Sequence, residues 1–256
     1  MITAGIDMGS KTIKVIVLDD KKIIGKSIKT AGLEEKKNAE EAIEEALKDA
    51  GITKDKVEKI MATGAGRNNA PDVDDDLTEV GADARGAKFL VPSVNTLIDV
   101  GAEEGRAIRV NEKGLVGDFA VNEKCAAGAG AFIEAMARAL EIGIEGFGKI
   151  SMESDKSIPM NAQCAVFAES EVVSLIHAKT SKPDIAKAIH DAIADRIVSL
   201  VRRVGIESDI VLIGGVALNK GFIASLKKVM GTDITVPEDC EYVGALGAAL
   251  AAKERR

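Results

Sequence analysis

Ile2-Thr-Ala-Gly-Ile-Asp7-Met-Gly9-Ser10-Lys11-Thr12-Ile-Lys-Val-Ile-Val-Leu18 decides how this chain folds. Gly5 to Thr12 stands one residue away from a P-loop, with Ser10 where the second glycine belongs. A P-loop must run from a strand into a helix, because the first N–H groups of that helix cradle the phosphates. Here the residues after Lys11 continue as a strand and turn back at Asp19. The stretch therefore reads as strand, tight turn, strand. Such a hairpin offers backbone N–H groups and a Ser/Thr/Lys tip to phosphates, and Asp7 at the strand end suits Mg²⁺ held through water. Taken alone, an ordinary turn explains it more simply.

The hairpin does not stand alone. A third strand at Ile23–Ile28, a helix at about 38–50 and a strand at 57–62 follow, the last ending in Ala62-Thr-Gly-Ala-Gly66. The order then begins again. Asn95-Thr-Leu-Ile-Asp99-Val-Gly101 is a second strand ending in Asp-x-Gly, completed by strands at 106–110 and 115–121. Helices are predicted at 130–141, 164–178 and 182–204. A strand at 210–213 meets the glycine turn Gly214-Gly215-Val-Ala-Leu-Asn219, and a helix at 220–230, a strand at 233–236 and a helix at 242–252 close the chain. This is a duplicated α/β unit, 1–93 and 94–256, the second half enlarged by inserted helices. The two Asp-x-Gly hairpins are expected to face each other across a cleft. The acidic stretch 68–79 reads as a solvated loop.

Composition excludes several classes. Net charge is −7 with no basic block, which argues against nucleic acid as a partner. No apolar run approaches the roughly 20 residues of a membrane helix, and the first strand starts without a basic leader, so a cytoplasmic protein is expected. Three cysteines, an odd number set far apart, fit a reducing compartment and reactive or ligand thiols. With no Trp and one Tyr, aromatic stacking is not the means of ligand recognition.

Cys125 opens Cys125-Ala-Ala-Gly-Ala-Gly130-Ala-Phe132, and Ala131, Phe132, Ala135, Met136, Ala139 and Leu140 recur at helical spacing. The cysteine is thus expected at or just before a helix N-terminus, where the positive end of the dipole favours a thiolate or a thiolate-bound cluster. Cys164 precedes a helix in the same way. A buried, inert cysteine is the competing reading. By spacing alone the two cysteines carry no metal-site specificity; metal clusters usually take four ligands, which a two-fold dimer would supply. Cys240 reads as incidental, and His177 and His190 as core or surface residues within helices.

Two phosphate hairpins and a glycine turn behind a strand resemble the sugar kinase, Hsp70 and actin ATPase superfamily, with duplicated ribonuclease-H-like domains and a nucleotide cleft between them. By that resemblance Gly9, Ser10, Lys11, Thr12 and Gly101 lie near the phosphates of ATP, Asp7 and Asp99 near Mg²⁺, and Gly214, Gly215 and Asn219 at the adenosine. The cysteine segments, Gly214-Gly-Val-Ala-x-Asn219 and Gly244-Ala-Leu-Gly-Ala-Ala249 are similar to one family within it. These are the ATP-hydrolysing activators of 2-hydroxyacyl-CoA dehydratases and the ATPase subunits of benzoyl-CoA reductase. The resemblance implies a dimer bridged by one 4Fe–4S cluster on Cys125 and Cys164 of each subunit. It further implies a ferredoxin or flavodoxin donor and an electron driven into an iron–sulfur enzyme that acts on a CoA thioester. One departure stands out. The activators carry Asp-x-Gly-Gly-Gln-Asp at the second hairpin, whereas this chain has Asp99-Val-Gly-Ala102-Glu103-Glu104. Glu103 replaces a water-orienting amide and suits a general base. The substitution favours the benzoyl-CoA reductase subunit, paired with a paralogous chain, over a homodimeric dehydratase activator. A small-molecule kinase of the same fold ranks behind both, and an actin- or Hsp70-like module leaves the cysteines unexplained.

Overall fold

The computed structural model describes residues 1–122, 130–160 and 165–254. In chain order the strands are β1 (Ile2–Met8), β2 (Thr12–Asp19), β3 (Lys22–Thr30), β4 (Lys59–Thr63), β5 (Asp75–Asp76), β6 (Thr96–Val100), β7 (Gly105–Val110), β8 (Val116–Asn122) and β9 (Ile210–Ile213). The helices are α1 (Glu35–Ala50), α2 (Glu79–Leu90), α3 (Gly130–Ala139), α4 (Ile144–Ser151), α5 (Ala165–His177), α6 (Lys182–Val204), α7 (Lys220–Met230) and α8 (Val243–Glu254). They group into two compact units. One comprises Met1–Val94, Val110–Gly117 and Glu241–Arg256, the other Asn95–Arg109 and Asp118–Cys240.

The first unit is built on a mixed sheet of order β3-β2-β1-β4-β5. Antiparallel β1–β2 and β2–β3 pairs form the expected meander, and β4 joins β1 in parallel. Strand alternation divides the apolar residues between two faces. Ile13, Val15 and Val17 pack with Ile6 against Ala39, Ile43 and Leu47 of α1. Ile16 and Leu18 turn the other way, onto Ala245, Leu246 and Ala249 of α8. Met61 meets Ala82 of α2 and Ala248 of α8 on that same side. The last helix, left with the second half by the sequence reading, therefore belongs to the first unit.

The second unit repeats the plan with order β8-β7-β6-β9, an antiparallel β6–β7 hairpin and a parallel β6–β9 pair. Its core joins Ile98, Val100 and Leu212 of the sheet to Phe132 and Met136 of α3, Phe147 of α4, Ile189, Ile193 and Ile197 of α6, and Phe222 of α7. Helix α6 is capped at its start by Ser181, whose side chain accepts the Asp184 N–H, with proline in the first turn.

Three local expectations change. Helix α4 was not foreseen, because Gly143, Gly146 and Gly148 dilute its periodicity. The strand expected at 233–236 is a single bridge, Val211 to Thr235, cut short by Pro237, which lacks an N–H. The acidic stretch 68–79 contributes β5, parallel to β4, and places Leu77 in the core. No helix among the described residues is long and apolar enough to cross a membrane.

Candidate functional site

Each sheet ends in the same device. In the first unit, β1 runs through Asp7 into a turn at Gly9-Ser10-Lys11 and returns as β2, so the P-loop geometry is absent and the hairpin is real. Ser10 and Lys11 stand exposed at the tip, and Thr12 is half-buried at the start of β2. A side chain at Gly9 would reach 2.8 Å from the Thr12 carbonyl, so the turn is too tight for one. Register places Lys14 directly across from Asp7, and the Lys14 Nζ donates to Asp7 Oδ2 at 3.1 Å. From the neighbouring strand, Gly64 closes on Asp7 at φ +94°, where a Cβ would stand 2.6 Å from Asp7 Oδ1. Only glycine fits there.

The second unit reproduces this position by position. Asp99 on β6 lies across from Arg106 on β7, and Arg106 Nη1 donates to Asp99 Oδ2 at 2.6 Å. Gly214, after β9, takes φ +89° and closes on Asp99, where a Cβ would collide with Asp99 Oδ1 and come within 2.5 Å of the Val100 carbonyl. The Gly101 N–H bonds the Glu104 carbonyl at 2.9 Å and closes the turn. Of the two glutamates at the tip, Glu104 is held by Arg106 Nη2 at 2.7 Å, whereas Glu103 is exposed. Sequence reading missed Lys14, Arg106 and the role of Gly64. The signal was present in the spacing of seven that separates each aspartate from its basic partner.

The glycine turn of the second unit leads straight into α7. A Cβ on Gly215 would meet nothing within 4 Å. Asn219 caps α7, its Oδ1 accepting the Phe222 N–H at 3.1 Å, and its Nδ2 lies 3.0 Å from His190 Nε2. Nδ2 can only donate, so His190 Nε2 accepts and the neutral ring carries its hydrogen on Nδ1. That nitrogen faces the Ala186 carbonyl one turn back without forming a well-made hydrogen bond. Burial in the core pushes the His190 pKa down to about 4, so the ring is neutral at physiological pH. Of the two readings left open for His190, core or surface, the structure shows the core, and the Asn219 side chain is engaged within the fold.

Hairpin and helix are also joined. The first two N–H groups of α3 donate outward, Gly130 to the Gly101 carbonyl and Ala131 to the Ala102 carbonyl, both at 2.8 Å. A Cβ on Gly130 would stand 3.1 Å from Val216 of the glycine turn and 3.2 Å from the Gly101 carbonyl. Glycine at 130 therefore allows hairpin, glycine turn and helix to meet. Cys125 and Cys164 lie outside the described residues, although α5 begins at Ala165, directly after Cys164. Cys240 is buried in the core, and its carbonyl accepts the Gly214 N–H at 2.9 Å, a backbone role that any residue can fill.

The donors suit a hard cation. In each unit an aspartate oxygen stands at a strand end, the donor type that Mg²⁺ takes. A model of the BadF/BadG/BcrA/BcrD ATPase family matches residues 4–252. The chain belongs to that family. The (R)-2-hydroxyglutaryl-CoA dehydratase activating ATPase of Acidaminococcus fermentans is 39% identical over 99% of this chain and 97% of its own length. The crystal structure of that dehydratase's component A superposes with TM-score 0.94, covering all of this chain and 98% of that one. The Clostridium difficile activator of 2-hydroxyisocaproyl-CoA dehydratase, solved with ADPNP, is 34% identical, with TM-score 0.93 over 99% and 95% of the two chains. A benzoyl-CoA reductase polypeptide of Thauera aromatica is 34% identical over 97% of this chain and 92% of its own length. The fold is thus that of the actin and Hsp70 ATPases, with two mixed sheets. The preference that Ala102-Glu103-Glu104 gave to the reductase is reversed: over the whole chain the similarity to the Acidaminococcus activating ATPase is greater.

Proposed function

We propose that this protein is the ATP-hydrolysing activator of a 2-hydroxyacyl-CoA dehydratase, working as a cytoplasmic homodimer. ATP with Mg²⁺ is the ligand of the two hairpins, with Asp7 and Asp99 directed at the cation and Ser10, Lys11, Thr12, Gly9 and Gly101 at the phosphates. Gly214 closes on Asp99, and Gly215, where a Cβ would meet nothing within 4 Å, gives the nucleoside close access to backbone. Glu103 takes the proton of the attacking water as its oxygen bonds the γ-phosphorus and the β–γ bridging oxygen leaves. Glu104 is less suited, because Arg106 already holds it.

Cys125 and Cys164, with the same pair from a second copy, would hold one 4Fe–4S cluster. When bound, such a cluster accepts and passes on a single electron. Ferredoxin or flavodoxin is the expected donor, and the acceptor an iron–sulfur dehydratase acting on a CoA thioester. The observation that carries the reading is the pair of hydrogen bonds from α3 to the second hairpin. They make the turn that meets the phosphates mechanically continuous with the helix that follows the Cys125 segment. On this reading a change at the nucleotide would reach α3, the helix that follows the Cys125 segment.

Anaerobic purification, followed by iron and sulfide counts and EPR before and after dithionite, tests the reading. About four irons per two identical chains, with a signal on reduction, is expected. Cys125→Ser and Cys164→Ser should each lose the cluster, and Cys240→Ser should keep it. A Cys125→Ser protein with full iron content would overturn the assignment. A chain that gains its iron only beside a paralogous partner would restore the reductase reading.

A further inference from the structure

Asp83 is a buried carboxylate, 6% exposed, on the face of α2 that packs toward α8. It lies close to Asp7 although 76 residues separate them. A Cβ built on Gly244, in the first turn of α8, would stand 3.2 Å from Asp83 Oδ1 and 3.5 Å from Asp7 Oδ2. The two oxygens are therefore separated by no more than the sum of those lengths, and a side chain at 244 would enter the space between them; the Lys14 ammonium stands beside the same Asp7 oxygen, at 3.1 Å. A third oxygen belongs to the same face. Thr63 pairs laterally with Asp7 in the parallel β1–β4 register, and residues paired in this way project to the same side of a sheet. Met61, two residues earlier, confirms that the side is the α2–α8 side, through its contacts with Ala82 and Ala248. Thr63 is 1% exposed, and its hydroxyl has no hydrogen-bond partner among the described residues. A buried hydroxyl without a partner is costly and points to one the fold does not supply.

We propose that Asp83 and Thr63 complete, with Asp7, an oxygen site for the divalent cation of the nucleotide. This rests on the ATPase reading of the first hairpin and extends it to two residues that no motif marks. Mg²⁺ keeps several of its waters and is usually anchored by one or two carboxylates plus substrate phosphates. Two carboxylates at this separation, with a hydroxyl beside them, match that habit. Asp7, at the strand end beside the hairpin, would be one anchor of the cation, and Asp83 and Thr63 would hold its waters.

Mn²⁺ reports the cation site without turnover. Its free fraction, followed by EPR with ADP kept below the protein concentration so that free nucleotide does not chelate the cation, gives the cation Kd for the whole protein. Asp83→Asn should weaken Mn²⁺ by about 10-fold, the usual consequence of losing an outer partner. Thr63→Val should weaken it less, and ADP affinity in EDTA should be unchanged in both. Gly244→Ala, which leaves every carboxylate in place but narrows the space between them, should also weaken Mn²⁺, and its melting curve shows whether the fold is kept. Wild-type Mn²⁺ affinity in both Asp83→Asn and Gly244→Ala, with Asp7→Asn impaired, overturns the role of Asp83 alone. If Asp7→Asn also binds Mn²⁺·ADP normally, it is the ATPase reading of the hairpin that fails.

Discussion

The two hairpins carry out one design with different parts. In each, an aspartate ends the first strand, a basic residue faces it across the ladder, and a glycine with φ near +90° closes from a parallel strand. The first hairpin uses Lys14, a single ammonium on a flexible stem, with its side chain and that of Asp7 each 16% exposed. The second uses Arg106, whose guanidinium forks between Asp99 and Glu104. An arginine fork holds two carboxylates in a fixed planar geometry, where a lysine acts as a compact point charge. The difference matters for chemistry: it leaves the first tip neutral or basic, with Ser10 and Lys11, and makes Glu103 the exposed acid of the second.

The comparison is broken most easily at the tips. Glu103→Gln should lower single-turnover ATP hydrolysis by about 10²–10⁴-fold, the range for a general base. Glu104→Gln should cost less than about 10-fold in the same assay, since its effect is only on Arg106. The reverse order would exchange their roles.

Removing the basic partners should separate the two hairpins in stability. Arg106→Ala leaves a buried carboxylate behind and should cost about 3 kcal/mol in denaturant unfolding of the nucleotide-free protein. Lys14→Ala, at a more open pair, should cost about 1 kcal/mol. Equal losses would mean that the fork adds nothing.

Both histidines of the chain fall in the second half, so a histidine-linked pH effect belongs there. The His190 pKa is lowered to about 4, and the unfolded chain therefore takes up the proton first as pH falls. Its contribution, up to about 3 kcal/mol, is present above pH 6.5 and is lost as pH falls towards 4. Protonation also sets two donors, Nε2 and the Asn219 amide, against each other. His190→Gln retains an acceptor and cannot titrate, so its melting temperature should fall less steeply than that of the wild type over this window. Parallel curves would remove His190 as the cause.

The closing glycines should behave alike. Gly64→Ala and Gly214→Ala should each cost about 2 kcal/mol, from the left-handed backbone and the contact with an aspartate. A large loss at one and none at the other would show that the likeness of the two halves ends at the backbone.

Much of this was legible in the sequence, for physical reasons that can be named. The strand pattern after Lys11 ruled out a P-loop, and the bounds of α6, β9 and α7 followed from periodicity and glycine turns. What escaped depends on register and close packing. Lys14 and Arg106 read as ordinary polar positions until the ladder sets them opposite an aspartate. Asp83 sits among Ala82, Ala84 and glycines, so its helix gave no sign that a carboxylate points inward. The move of α8 to the first unit is tertiary: its small residues suit close packing on a sheet, and nothing local says which one.

The most direct test is a redox titration of the dithionite-reduced protein followed by EPR, without nucleotide, with ADP and with a non-hydrolysable ATP analogue. If hairpin and α3 move as one piece, the midpoint potential and the shape of the signal change with the nucleotide. An identical potential and spectrum in all three states would contradict the coupling of the ATP site to the cysteines.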